Sequence, residues 1–313
     1  MIESRLAGTV VLLIVLSSAA LAGARTAVGG TAVAGRGYDS AEAAVTALVE
    51  ALRTDQLGKL WSVLGPGSER LLSSGDWHSD AAERKRFIAA YDEKHELVST
   101  APDRLTLQVG NDDWPLPIPL VQANGRWHFD SRSGAQELVK RRIARNELAA
   151  IRTARAYVDA QKVFSSTHGQ GAYAQRLVSS HGKYNGLYWP AAPGAPDSPL
   201  EPLMLQAKEK GYPGARVSGK PMPYQGYYFR ILIAQGAKTS EGARNYVSNG
   251  RMTGGFGLIG WPASYGASGI MTFIVNQDEN VFQKDLGPRT ETIAPEIKVF
   301  DPDLSWVKVD VVD

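Results

Sequence analysis

The hydrophobic pattern after residue 37 predicts helices first. Apolar residues recur at helical spacing over 44–52, and Asp39 or Ser40 can cap that helix. A second short helix is predicted at about Leu57–Leu64, before a Gly-Pro-Gly turn. The capping-box pattern at 80–83 predicts a third helix that runs through Tyr91 to about His95.

Strand patterns follow these helices. Residues 105–109 alternate between apolar and polar, and Asn124-Gly125 predicts a tight hairpin turn before the strand 126–129. Between them, segment 114–120 has proline at every second position. It can be a proline-rich ligand motif or an edge strand with its aliphatic face buried. The edge strand is favoured, because proline in sheets is confined to such positions.

The second half opens with a long helical pattern from about Ala135 to Phe164. The expected apolar face comprises Ile143, Leu148, Ile151, Ala154 and Val158, and Arg142 and Arg152 are assigned to the polar face. Glu137 precedes Arg141 by four residues, which is a favourable spacing for an ion pair on a helix. The segment predicts a solvated arginine face and not a nucleic-acid reader, since neither a second basic element nor an aromatic platform accompanies it.

Strand-like segments then recur to the end of the chain. They are 226–232, 256–262, 269–275 and a last one that begins at Val281. The glycine-rich stretch 250–257 lacks the lysine and hydroxyl of a phosphate-binding loop and predicts a turn into a strand. The pattern as a whole predicts an α+β protein.

The first 22 residues have the pattern of an export signal. Arg5 precedes an apolar run to about Leu16, and Ala20-Leu21-Ala22 fits a cleavage site. An uncleaved membrane anchor is the alternative, although the apolar core is short for a bilayer span. A flexible tether, 23–37, is predicted next. We therefore expect an exported protein, periplasmic or extracellular, of bacterial origin.

Length and composition refine this organisation. The 313 residues, of which none is cysteine, predict two domains without disulfides: a cone-like domain at 38–134 and a second at 135–313 with an aromatic and Pro-rich insertion at 184–225. The formal net charge is +2, so no general basic field favours nucleic acid as a partner.

The helices followed by strands in 38–134 resemble the cone of the nuclear-transport-factor-2-like fold. The resemblance implies a pocket, and some proteins of this kind are enzymes that use an Asp–His pair. Asp76, His78 and Asp80 are the candidates here. Helix capping and solvent exposure explain their alternation at least as well, so no catalytic residue is assigned.

The second half resembles the globular heads of type IV pilin-like proteins. The similarity lies in the helix around Asn146-Glu147 and Ala160-Gln161, the loop 165–171 and the strands from Gly226 onward. It implies a long helix packed on an antiparallel sheet. Because this helix is internal and polar, we expect a pilin-like head re-used in a soluble exported protein.

The chain also resembles an exported bacterial family known only as domain of unknown function 2950. The stretches that carry the resemblance are 114–120, 142–148, 186–190, 226–228 and 265–269. The family has no assigned activity, so the resemblance implies none. The chain departs from the family at Asp278-Glu279-Asn280, where a glycine turn is usual. We expect Asn280 to supply the left-handed conformation.

Candidate binding residues come from the aromatic insertion and the strand after it. Tyr188, Trp189, Tyr227 and Tyr228 could stack on sugars or anchor a protein. Packing as a satellite core under long loops is the favoured alternative. The five histidines lack ligand spacing, so no metal and no cofactor are expected.

Two functional hypotheses follow. The first is a non-enzymatic exported structural or interaction protein in cell-envelope or surface assembly, whose partner is an unknown envelope or surface protein. It would bind no nucleic acid and touch the membrane only through an uncleaved signal segment. The second is small-ligand binding or minor hydrolytic activity in the cone cavity, which a buried polar pocket around His128, Asp130 or Asp76 would favour.

Overall fold

The computed structural model describes residues 35–213 and 221–309. The predicted signal peptide and all but the last residues of the predicted tether lie outside these ranges. Within them, no helix is both long and apolar enough to cross a membrane.

The first half consists of helices followed by an antiparallel sheet. Its helices are α1 (Ala41–Arg53), α2 (Leu57–Leu64), α3 (Glu69–Leu72) and α4 (Trp77–Glu93). Its strands are β1 (His95–Ala101), β2 (Arg104–Val109), β3 (Trp114–Pro115), β4 (Leu120–Ala123) and β5 (Arg126–Phe129). The strand order is β1-β2-β4-β5, and β3 also pairs with β2.

The first two helices match their predictions closely. Ser40 caps α1, and its side chain accepts a hydrogen bond from the Ala43 amide at 3.1 Å. The third prediction was wrong at both ends. Its helix, α4, begins a turn earlier because Asp76 is the cap and accepts from the Ser79 amide at 3.1 Å. It ends at Glu93, and His95 opens β1.

The proline-rich segment is only partly a strand. Regular pairing is confined to β3 and β4, and no strand spans the residues between them. The aliphatic side chains of Leu116, Ile118 and Leu120 are nevertheless buried, as the pattern predicted. The Asn124-Gly125 hairpin is confirmed: β4 pairs with β5, and both turn residues have positive φ.

The central helix α5 runs over Ser131–Thr167, capped by Asp130, and is longer than predicted. Two of its side chains are placed opposite to expectation. Arg142, predicted on the solvated face, is 4% exposed because its guanidinium donates to the carbonyls of Arg70 and Leu71 at 2.9 and 2.7 Å. Leu148, predicted on the apolar face, is 54% exposed.

After α5, the second half contains two short α-helices and a series of strands. The helices are α6 (Glu201–Glu209) and α7 (Thr290–Ile293), with 3₁₀ turns at Gly287–Arg289 and Ala294–Glu296. The strands are β6 (Tyr227–Leu232), β7 (Ala234–Gln235), β8 (Arg244–Asn245), β9 (Val247–Ser248), β10 (Arg251–Met252), β11 (Gly257–Pro262), β12 (Met271–Asn276), β13 (Val281–Asp285) and β14 (Val307–Lys308).

The main sheet of this half is antiparallel, in the order β14-β13-β12-β11-β6. On the two sides of β11, Leu258 pairs with Val275 of β12 and with Ile231 of β6. The turn between β12 and β13 takes its left-handed residue at Glu279, with φ 64°, and not at Asn280 as expected. The chain is therefore α+β, as predicted, while the likeness to a nuclear-transport-factor-2 cone and to pilin heads stays a prediction.

The helix α5 contributes to the cores of both halves. Its first turns supply Ala135 to the core under the first sheet. Its later turns supply Tyr157, Val158 and Phe164 to the larger core beneath β11 and β12. One helix thus joins two sheets, so its two ends are held by different parts of the chain.

Gly134 in the first turn of α5 is a point where the packing can be tested. A Cβ added there would lie 2.1 Å from the carbonyl oxygen of Pro117 and 2.7 Å from Cα of Ile118. Gly134→Ala should lower the free energy of unfolding by about 1–3 kcal/mol, because backbone atoms cannot yield to the new methyl group. The urea midpoint at unchanged slope is the measurement.

Gly58 in α2 provides the matched control, since a Cβ there meets nothing within 4 Å. Gly58→Ala should raise stability by about 0.5–1 kcal/mol through helix propensity. Equal effects of the two substitutions would contradict the close contact at the start of α5.

Candidate functional site

The larger described cavity lies where α5, α6 and the sheet of the second half meet. Its volume is about 530 Å³. Its described lining residues are Thr153, Tyr157, Leu177, Val178, Tyr188, Leu200, Leu203, Met204, Ala207, Tyr212, Pro213, Pro221, Met222, Pro223, Tyr224, Phe229 and Leu258. We call it the junction cavity.

The wall of the junction cavity is formed by elements whose local structure the sequence explains. Helix α6 begins with Pro202 in its first turn, where the missing N–H costs no hydrogen bond. The loop before it is fixed by Trp189, which is buried and donates from Nε1 to the Pro196 carbonyl at 2.8 Å. Leu203, Met204 and Ala207 thereby line the cavity from one side of α6.

Most polar atoms in the wall are already engaged. The Tyr157 hydroxyl donates to the Gly257 carbonyl at 3.0 Å, and the Thr153 hydroxyl donates to the Ala149 carbonyl at 2.9 Å. The Tyr224 hydroxyl is an exception. It is buried and has no hydrogen-bond partner in the described part of the chain. Burial raises the pKa of Tyr224, so the hydroxyl keeps its proton at neutral pH.

A buried carboxylate, which does not itself line the cavity, contacts the lining residue Tyr212. Asp76 is fully buried and accepts from the Tyr212 hydroxyl at 2.6 Å and from the Gly226 amide at 2.8 Å. Burial, followed by the charge of Asp76, raises the pKa of Tyr212 and keeps its hydroxyl protonated. The start of α4 is thereby tied to both ends of the segment that leads into β6.

The other members of the Asp76–His78–Asp80 cluster are buried as well. Asp80 accepts from the Ser74 amide at 2.9 Å and from its hydroxyl at 2.7 Å. Burial raises the pKa of Asp80, although these hydrogen bonds and Arg142 oppose the shift. The His78 ring packs between Trp77 and Tyr212, and its Nε2 has no partner among the described residues.

The prediction that this cluster is solvent-exposed was therefore wrong, while its capping role is correct for Asp76. In residues 35–213 and 221–309, no group of three or more His, Asp or Glu side chains is arranged to hold a metal ion. The three side chains hold the packing at the junction instead.

A second cavity of about 330 Å³ lies among the helices of the first half. Its lining residues are Leu48, Leu52, Leu60, Leu64, Leu71, Leu72, Asp80, Glu83, Arg84, Phe87, Trp114, Leu116, Ile118, Leu138, Arg141, Arg142 and Arg145. We call it the cone cavity. The residues expected around a polar cone pocket, His128, Asp130 or Asp76, are absent from the lining described for both cavities.

The structure separates the four candidate binding residues. Tyr188 lines the junction cavity. Trp189 and Tyr227 are buried in the core, and the Tyr227 hydroxyl donates to the Met271 carbonyl at 2.9 Å. Tyr228 is half-buried with its ring beside Trp261. A binding role for these rings stays a prediction, and Tyr188 is the one placed to meet a ligand in the cavity.

Sequence reasoning did not select Tyr212, Tyr224 and Phe229 as cavity residues. A signal was present in Pro221-Met222-Pro223, because prolines restrict the chain while methionine adapts to irregular apolar space. Contact between this segment and α6 depends on the chain's return through Gly226, which no local pattern predicts.

The fold and site define a class of protein: an α+β chain in which one long helix serves two antiparallel sheets and borders an apolar cavity. Residues 35–309 match the family described as Protein of unknown function (DUF2950), and the chain belongs to that family. The comparisons with curated proteins and with solved structures found no match.

Two tyrosine hydroxyls test the buried contacts of the site. Tyr212→Phe should lower the free energy of unfolding by about 1.5–3 kcal/mol, because Asp76 loses a charge-assisted hydrogen bond in a buried setting. Urea unfolding followed by circular dichroism measures the change.

Tyr224→Phe removes a hydroxyl without a described partner and should leave the free energy of unfolding unchanged or raise it slightly. A larger loss from Tyr224→Phe than from Tyr212→Phe would refute this arrangement.

Proposed function

We propose that this protein is a non-enzymatic exported interaction protein of the bacterial envelope or surface, and that the junction cavity binds an apolar, uncharged ligand. The observation that carries the proposal is the composition of the cavity wall. No charged side chain is among its described lining residues, and its polar atoms are mostly paired.

The size of the cavity supports a small molecule or a single apolar group as the ligand. Its volume of about 530 Å³ lies within the range of about 300–1,000 Å³ that small-molecule pockets usually have. A charged ligand would lose its hydration without gaining a counter-charge from the described lining residues, so an uncharged one is favoured.

The wall is also suited to ligands of varied shape. Met204 and Met222 are unbranched, and their thioethers pack against rings and aliphatic groups alike. Tyr188 and Tyr224 present flat surfaces at low cost in conformational entropy. These properties favour recognition by shape and apolar contact over recognition by charge.

A non-enzymatic role is supported by the state of the hydroxyls in the wall. Burial raises the pKa of Tyr157, Tyr212 and Tyr224, so these groups stay protonated and cannot act as bases near neutral pH. The carboxylate that contacts the lining residue Tyr212, Asp76, is occupied by three hydrogen bonds.

Filling the junction cavity should abolish ligand binding. The neutral fluorescent probe N-phenylnaphthylamine should bind the wild-type protein with a rise in emission, because apolar surroundings remove quenching by water. Leu203→Trp replaces a leucine side chain in the cavity wall by the larger indole ring of tryptophan. This change should weaken probe binding by at least about tenfold. A fluorescence titration gives the dissociation constant.

Leu205→Trp is the matched control, since Leu205 lies on the same helix but is 54% exposed and does not line the cavity. It should bind the probe as the wild type does. A wild-type protein that does not bind the probe, or equal binding by both tryptophan variants, would count against the proposal.

Export can be tested separately on the full chain produced in a bacterial host. The signal-peptide pattern implies a mature protein that begins after Ala22 and is recovered from the periplasm or the medium. Intact-mass spectrometry of the fractions reads the cleavage site. An uncut chain in the cytoplasm would refute export, and an uncut chain in the membrane would favour the anchor.

A further inference from the structure

The cone cavity has an apolar interior and a charged mouth. Aliphatic side chains from α1, α2 and α3 form most of the interior, together with Phe87 of α4 and Leu138 of α5. Trp114, Leu116 and Ile118 of the proline-rich segment complete it. In that segment, proline alternates with aliphatic residues, and the aliphatic side chains of Leu116 and Ile118 both line the cavity and belong to the core.

The charged residues of the cone cavity come from one face of α4 and one face of α5. Four are arginines, Arg84, Arg141, Arg142 and Arg145, whereas two are carboxylates, Asp80 and Glu83. Of the four arginines, Arg142 is held in place by the carbonyls of Arg70 and Leu71. Arginines thus outnumber carboxylates in the lining, and two of their ion-pair partners, Asp55 and Glu137, lie outside it.

The outer arginines are available to a ligand. Arg141 and Arg145 are both 54% exposed, and they pair with Glu137 and Glu83. Exposed ion pairs of this kind contribute only about 0–1 kcal/mol each, so an incoming anion can compete for the guanidinium groups. Arg84 pairs with Asp55, but its own side chain is only 16% exposed, so it is less accessible to a ligand than Arg141 and Arg145.

One pKa shift agrees with a positive potential near Arg145. The pKa of Lys210 is lowered by burial and then by the charges of Arg152, Arg145 and Arg86.

We infer that the cone cavity binds a single-chain aliphatic amphiphile with one negative charge, a fatty carboxylate, whose chain lies among the leucines and whose headgroup meets Arg141 and Arg145. A planar carboxylate matches the paired donors of a guanidinium. A single charge fits because Asp80 and Glu83 also border the site and would repel a more highly charged group. This site is distinct from the junction cavity of the proposed function.

Dodecanoate is the probe, and isothermal titration calorimetry below its micelle concentration is the measurement. The wild-type protein should bind dodecanoate at least about tenfold more tightly than dodecanol or dodecyltrimethylammonium, because only the carboxylate pairs with the arginines. Equal binding of the three amphiphiles, or binding of none, would overturn the inference.

The double variant R141Q/R145Q removes the two exposed cations and should weaken dodecanoate binding by about tenfold while leaving dodecanol binding unchanged. Lys140→Gln is the matched control, since Lys140 is exposed on the same helix and does not line the cavity. It should bind dodecanoate as the wild type does. An equal loss in both proteins would indicate a general charge effect and overturn the inference.

A substitution that fills the interior separates this site from the junction cavity. Leu138→Trp should abolish dodecanoate binding and leave N-phenylnaphthylamine binding intact, whereas Leu203→Trp should do the reverse. Circular dichroism and the urea midpoint confirm that both variants are folded. Retention of full dodecanoate affinity in folded Leu138→Trp would overturn the inference without bearing on the proposed function.

Discussion

The structure depends on the polar side chains of α5 that reach the backbone of distant segments. Asn146 donates to the Ser268 carbonyl at 2.9 Å. Glu147 accepts from the amides of Ile270 and Met271 at 2.9 and 3.0 Å, at the start of β12. Because buried backbone groups must be paired, these contacts fix the position and the rotation of the helix on the sheet.

The same helix is tied at its other turns, which explains how two sheets share it. Arg142 binds two carbonyls near α3, and Gln161 exchanges hydrogen bonds with both backbone groups of Ala174 at 2.8 Å. Apolar contact alone would allow the helix to slide or rotate, since it is non-directional. The hydrogen bonds select one register, and the two cavities lie where the adjoining elements diverge from the helix.

The two cavities differ in charge because they border different faces of neighbouring elements. The junction cavity is bordered by tyrosine, methionine and proline. Asp76 is not among the described lining residues, and its carboxylate is engaged in hydrogen bonds with Tyr212 and Gly226. The cone cavity meets the stretch of α5 that carries Arg141 and Arg145. The ligands proposed for the two cavities therefore differ in charge: neutral for the junction cavity and anionic for the cone cavity.

Local patterns determined the α+β class, the two helices over 41–64, the Asn124-Gly125 hairpin and the four longer strands of the second half, because each rests on the spacing or turn chemistry of adjacent residues. They did not predict the short strands β7–β10, of which β10 lies in the stretch expected to be a turn. Only the tertiary structure decided that Arg142 is buried while Leu148 is exposed, since a helix face is defined by what packs on it. It also placed Asp76 beside Tyr212 and Gly226, more than 130 positions away in the chain. Cavities depend on such long-range contacts, and residue types nearby in sequence carry no information about which surfaces the folded chain leaves unfilled.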